Sequence, residues 1–176
     1  MNWTPSPTKA LATLDHVASI IPQTRAMREL RVCLTLYEAD LRSLRTYGRP
    51  IYGENWRASW HGPRGDVATA LLMRDPVVVG MLDAATAETM RAGTTGLDGL
   101  PRMDGDLLSV SDVECLHEAI EDVEAVGDAD LVPHYATLSE VLEAQGGVIW
   151  PLDMTRSELD EAHLRDIEGS MPHIVF

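Results

Sequence analysis

Ring side chains are scarce: aromatic residues make up 5% of the 176 positions, and Phe176 is the sole phenylalanine. A core must then be assembled from Leu, Val, Ile, Met and Ala with a few Trp and Tyr, a palette that suits helices. Cysteine is nearly absent too. Cys33 and Cys115 lie about 80 residues apart in apolar helical patterns, with no CxxC or Cys/His spacing for a zinc site, so both read as buried free thiols. No run approaches the ~18 apolar residues of a membrane-spanning helix. The opening Met1-Asn2-Trp3-Thr4-Pro5 lacks the basic segment and apolar run of a secretory signal, so a cytoplasmic protein is expected. There is no internal repeat, no low-complexity segment, no GxSxG nucleophile elbow and no GxxxxGK[ST] phosphate loop.

Positive charge is also in short supply, with 14 Lys plus Arg against 28 Asp plus Glu and a net charge of −14. The deficit is uneven. Residues 1–74 carry ten cations and six carboxylates, a net of +4, whereas residues 75–176 carry four arginines and 22 carboxylates, a net of −18. Such a surface repels nucleic-acid phosphates and attracts basic proteins, so no direct nucleic-acid partner is expected. With 45% apolar and 24% charged residues, the composition is that of one globular domain.

Periodicity predicts a mainly α fold: a compact single-domain helical bundle with one or two small β-hairpins. A first helix reads from Thr8 to Ile21, stopped by Pro22. The clearest stripe is Leu30, Cys33, Leu34, Tyr37, Leu41 and Leu44, with Arg28, Arg31, Glu38, Arg42 and Arg45 on the other face and Gly48 and Pro50 ending the helix near Tyr47. From Ile51 to Trp60 the period turns strand-like, with Gly53-Glu54 as the expected turn, Trp56, Ala58 and Trp60 on one side, and His61-Gly62-Pro63 as the breaker.

Helices are expected from Arg64 to Met73 and from the Asp75-Pro76 cap to about Met90. Gly93 to Ser109 should be loop or a second small hairpin containing Leu107 and Leu108. Ser111 to Glu114 fits a capping box for a helix whose Asp112, Glu114, Glu118, Glu121, Asp122 and Glu124 turn outward and whose end falls at Gly127. Leu131 to Gln145 reads as one broken helix or two short ones, halted by Gly146-Gly147. Ser157 to Glu168 reads as an acidic helix, followed by the apolar tail Met171 to Phe176.

Few residues carry chemistry. His61 could be a base, but without a nucleophile beside it the preferred reading is a ring that packs and hydrogen-bonds to fix a loop. Asp160-Glu161-Ala162-His163 and Arg64-Gly65-Asp66 spell known short motifs without the contexts those motifs require. Asp104-Gly105-Asp106 lacks the further oxygens of a calcium loop, and neither metal nor cofactor is expected. The acidic helix face reads as solvated or as a docking surface for a cationic partner. Around Tyr37, Asp40, Tyr47, Arg49 and His61 a structural role is expected. A carboxylate at Asp40, accepting from a returning arginine or from hairpin backbone, would clamp the hairpin to the helix.

Tyr37-Glu38-Ala39-Asp40, then Tyr47-Gly48-Arg49-Pro50-Ile51, then Gly53-Glu54, Trp56, Ala58 and His61-Gly62-Pro63 occur in order. Together they resemble the signature of the Panacea domain, the SocA-like antitoxin family, whose wording is close to YxAD followed by RYGRPITGDxYxAxxHGPV. Tyr52, Trp56 and Arg64-Gly65-Asp66 depart from it, and Leu108-Ser109 with Ser111-Asp112 and the helix after them looks like a second, weaker block. The recognisable core would span about residues 8–150 of a single domain, 1–176, with 151–176 as an extension.

The resemblance implies a mostly helical antitoxin of a bacterial, often prophage-borne, toxin–antitoxin pair. Such a protein neutralises a cognate protein toxin by direct binding, and one member of the family delivers its toxin to a AAA+ protease. No catalytic residue or cofactor comes with it. A basic toxin is expected from the charge. The competing readings are an acidic adaptor or phage inhibitor of a host protein and a small enzyme centred on His61.

Overall fold

The computed structural model describes residues 4–144, 146–149 and 154. The first helix, α1 (Pro7–Ile20), starts where Ser6 accepts a hydrogen bond from the Lys9 amide and Pro7 supplies a preset φ, and it ends before Pro22. It buries Leu11, Leu14 and Val17. The second, α2 (Arg28–Tyr47), is the axis of the molecule. Gly48 closes it in the left-handed region at φ 65, its N–H returning to the Leu44 carbonyl.

This helix is buried around most of its circumference, not along one stripe: Arg31, Thr35, Asp40 and Ser43 are as enclosed as Leu34 and Leu36. The expectation that Arg31 lies on an outer face is therefore corrected. Its guanidinium is fully buried because it bonds the Val123 carbonyl at 2.6 Å, the Val126 carbonyl at 2.9 Å and Asp128 at 2.7 Å, placing a cation on the carbonyl end of a neighbouring helix.

Strands β1 (Trp56–Ser59) and β2 (Gly62–Gly65) form an antiparallel hairpin in which Arg57 faces Arg64 and Ala58 faces Pro63. The turn is Trp60-His61, not Gly53-Glu54, and Gly62-Pro63 opens the returning strand, so His61-Gly62-Pro63 does not break the hairpin. The reason is local. Gly62 supplies the positive φ, 107°, just past the turn, and Pro63 sits on an edge strand where its missing N–H removes no ladder bond. Trp60 consequently leaves the inward side with Trp56 and stands 93% exposed at the tip. A third strand, β3 (Val148–Ile149), which periodicity did not signal, pairs with β1 on its other side.

After α3 (Asp66–Leu72), the single helix expected from Asp75 is two: α4 (Pro76–Val79) and α5 (Ala84–Ala92). Asp75 caps the first as read, but Asp83 caps the second, accepting from the Ala85 and Thr86 amides. The glycine-rich stretch that follows holds two 3-10 turns, Leu97–Gly99 and Gly105–Leu107, and no strand. The next helix, α6 (Val110–Ala125), has its capping box two residues earlier than expected. Ser109 and Asp112 exchange bonds, Ser109 N–H to the carboxylate at 2.9 Å and Asp112 N–H to the hydroxyl at 3.2 Å.

Two short helices, α7 (Leu131–Ala136) and α8 (Ser139–Ala144), follow as the two-helix reading expects. The expected helix Ser157 to Glu168 and the tail Met171 to Phe176 lie outside the described residues.

The fold is mainly α with one small antiparallel sheet. α2 packs along α6 on one side and against α1 and β2 on others, and α7 and α8 cover the hairpin from beyond. One aliphatic core joins α1, α2, α3, α5 and α6. A smaller cluster of Leu34, Val123, Leu131 and Tyr135 seals the far end. Among the described residues no helix is long and apolar enough to cross a membrane.

Candidate functional site

The residues singled out in sequence gather around the point where α2 meets the hairpin. Asp40 is fully enclosed in α2 and accepts two hydrogen bonds, from the Ile51 amide at 2.8 Å and from the Trp56 indole N–H at 3.0 Å. Both donors are buried and need an acceptor, so this one carboxylate fixes the approach segment and strand β1 together. The carboxylate does tie helix to hairpin, but through the Trp56 side chain and the backbone ahead of β1; neither hairpin backbone nor the returning arginine, the donors expected, takes part. Burial pushes the Asp40 carboxyl up to about 7, against the pull of those two bonds.

One turn earlier, Tyr37 meets Trp56 edge to face, ring centroids 5.2 Å apart, and donates its hydroxyl to Glu140 of α8 at 2.5 Å. α2 thus holds Trp56 through two side chains, and α8 in turn holds one of them.

Glu54, read only as a turn residue, is a second buried anchor. Its carboxylate accepts from the Asn55, Val67 and Ala68 amides at 2.9, 3.0 and 2.9 Å and from the Tyr52 hydroxyl at 3.3 Å. It ties the segment before β1 to the first turn of α3, and burial raises its pKa despite these donors. Gly65 is needed beside it, since a Cβ there would lie 2.4 Å from a Glu54 oxygen. Gly62 is needed twice over: its φ is positive, and a Cβ would come within 2.6 Å of the Tyr135 Cβ. Gly53 also has a positive φ, where the chain passes close to the Thr4 carbonyl.

Arg49 and Asp112, assigned to separate roles in sequence, form one ion pair at 2.9 Å. Asp112 does not face outward. It is fully buried and holds Lys9 of α1 at 2.7 Å as well as the Ser109 amide. Burial works against its charge, but Lys9, Ser109 and Arg49 outweigh it and hold the carboxyl below the ordinary aspartate range. Arg49 also reaches the Ser111 hydroxyl at 3.0 Å and lies over the ring of the half-exposed Tyr47, 5.9 Å from its centre. Pro50 is half-buried between these anchors, and Pro63 is buried in β2. His61 is exposed at the hairpin tip, and its ring makes no hydrogen bond to a described residue, contrary to the loop-fixing role expected of it.

The acidic face of α6 is largely answered from within. Arg42 of α2 pairs with Glu118 and Asp122, and Arg25 takes Glu124 at 2.8 Å and Asp128 at 3.0 Å. Of the six carboxylates expected to face a partner, only Glu114 and Glu121 are exposed without an ion pair to a described residue. Of the α2 arginines, Arg31 and Arg42 meet acids of α6, at Glu124 and at Glu118 and Asp122, while Arg28 turns to Asp98. The arginine and acid patterns are legible separately in the sequence, and their pairing is not.

Cys33 is half-buried and Cys115 buried, both free thiols; burial pushes Cys33 up to about 12. Among the described residues no group of three or more His, Cys, Asp or Glu could hold a metal. Two clefts open on the surface. One, of ≈ 350 Å3, lies between the end of α1 and the 97–102 loop and is lined by Asp15, Arg28, Asp98 and Arg102. The other, of ≈ 460 Å3, lies over the outer face of the sheet and is lined by Arg57, Ser59, Arg64, Asp66, Thr69 and Gly146. Comparison with protein-family models, with curated proteins and with solved structures gave no match.

Proposed function

We propose that this protein is a cytoplasmic, non-enzymatic antitoxin that neutralises a cognate protein toxin by binding it directly. The observation that carries the reading is the clamp. Tyr37, Asp40, Gly53, Trp56, Gly62 and Pro63, which carry the resemblance to the Panacea domain, are brought together as one structural framework around the hairpin. That is the arrangement expected of residues kept to hold a scaffold, leaving the tips and helix faces to choose a partner.

The charge argument is redistributed. A basic toxin would be drawn by the net −14 of the whole chain and by Glu114 and Glu121, more than by a dedicated acidic stripe.

Co-expression with the neighbouring reading frame tests it. The neighbour should arrest growth alone and be harmless beside this chain. A neighbour that is innocuous alone, or equally toxic in its presence, removes the proposal. Rescue that vanishes in a host stripped of its AAA+ proteases would make the mechanism delivery instead of blockade.

A further inference from the structure

The hairpin carries an arrangement that the clamp does not use. Arg57 and Arg64 are direct cross-strand partners, and Val148 of β3 lies on the other side of Arg57, so the three form a row across the outward face of the sheet. Like charges directly opposite one another destabilise a strand pair. Among the described residues one carboxylate offsets them: Asp66 receives the Arg57 Nε–H at 2.8 and 2.9 Å. Arg64 spends its Nε–H on the neutral Thr69 hydroxyl at 3.0 Å. The terminal guanidinium nitrogens of both make no hydrogen bond to a described residue, and they border the ≈ 460 Å3 cleft.

At the end of the same hairpin stands Trp60, 93% exposed, the most exposed large apolar side chain among the described residues. A bare tryptophan at the tip of the hairpin whose two strands carry the arginine forks supplies residue types enriched in interaction hot spots: the indole contributes apolar burial, and each fork can take a carboxylate through two parallel bonds.

We propose that the outer face and tip of the β1–β2 hairpin are a docking surface for an acidic segment of a partner protein. A carboxylate of that segment sits between Arg57 and Arg64, and an apolar side chain packs on Trp60. Charge complementarity selects this occupant, because among the described residues the cleft holds two cations against one carboxylate on a chain that is otherwise strongly acidic. The inference deepens the antitoxin reading by adding a second contact, for an acidic stretch on a toxin whose overall charge is basic, and rests on that reading only for what the partner is.

The experiment uses the full chain with nitrogen-15 labelling and a short, end-blocked peptide of alternating glutamate and leucine as probe. Nuclear magnetic resonance should show the Arg57 and Arg64 Nε–H signals and the Trp60 indole signal shifting together. The double variant Arg57→Gln/Arg64→Gln should weaken binding by about tenfold or more, as expected for charge-assisted hydrogen bonds. Trp60→Ser should weaken it separately. All three side chains are exposed, so the indole signal of the buried Trp56 should stay in place and report an intact fold.

Signals that do not move overturn the proposal, as does an equal response to a lysine–leucine peptide. So does a response to inorganic phosphate that the peptide does not exceed, which would make the cleft a free-anion site. If the peptide binds but co-expression fails to rescue, the surface stands and the antitoxin reading falls; rescue without peptide binding has the opposite meaning.

Discussion

Asp40 is the residue on which the hairpin most depends, because it answers two buried donors with two different oxygens. In Asp40→Asn one of those oxygens becomes an amide that faces a donor, and a loss of about 1–3 kcal/mol in unfolding free energy is expected, read by denaturant titration. Acidity adds a signature. The folded carboxyl titrates near 7 and an unfolded one near 3.8. Across that window the native state therefore holds more protons, and stability from this group declines as pH rises from about 4 to 7. The slope should flatten in the asparagine variant, and an unchanged slope would show that Asp40 is not its source.

Gly62→Ala is expected to cost at least about 1–3 kcal/mol, since positive φ and the Tyr135 contact penalise any Cβ at once. Asp40 was legible in the sequence because it sits one turn from Tyr37 and just ahead of a chain reversal. Arg31 was not. Its spacing puts it among solvent-facing arginines, and only the carbonyl end of a helix more than ninety residues away makes burial tolerable.

At the level of elements, local chemistry set most helix ends correctly, because caps and prolines act within a turn. The failures came where two candidate signals competed. Ser109 and Ser111 both precede Asp112 and Glu114 at short range, and the pair that exchanges bonds in both directions prevails. Ser109→Ala should accordingly cost about 0.5–2 kcal/mol, and Ser111→Ala less, by thermal unfolding.

Between α1 and α6, His16 and His117 hold their Nε2 atoms 3.3 Å apart with nearly parallel rings, so one ring donates to the lone pair of the other. Burial and then the neighbouring His117 pull His16 below the ordinary histidine value, with Asp15 acting the other way. Arg102 pairs with that aspartate at 3.2 Å. A depressed histidine favours the neutral form in the fold, so this contact should weaken as pH falls below about 6.5. In a histidine-resonance titration, His117→Ala should move His16 back towards that value; no movement would separate the two rings energetically.

For the molecule as a whole, composition identified the helical class, and the sequence patterns located nearly every element that buries an apolar face. The sheet was harder. Strand β3 is two residues long and finds its place only because β1 already offers an edge, a circumstance no short window contains. The same limit applies to charge: a count of −18 in the C-terminal part does not say which carboxylates are already taken by arginines of α2 and the loop before it. Association with a basic partner should still quicken at low ionic strength through the net charge. In stopped-flow mixing, Glu114→Gln/Glu121→Gln should lower the on-rate more than Glu118→Gln/Asp122→Gln. Equal effects would show that the internal pairs open for the partner.

The order in which the sheet is assembled matters during synthesis. Strands β1 and β2 leave the ribosome early, while the strand that covers the other edge of β1 is encoded about 90 residues later. At translation rates of about 5–20 residues per second, that edge stays bare for roughly five to twenty seconds in every newborn chain. Throughout that interval the nascent polypeptide displays an unpaired β-ribbon, open to chaperones, to a sister chain on the same polysome, or to any extended peptide that arrives before its own C-terminal segment does.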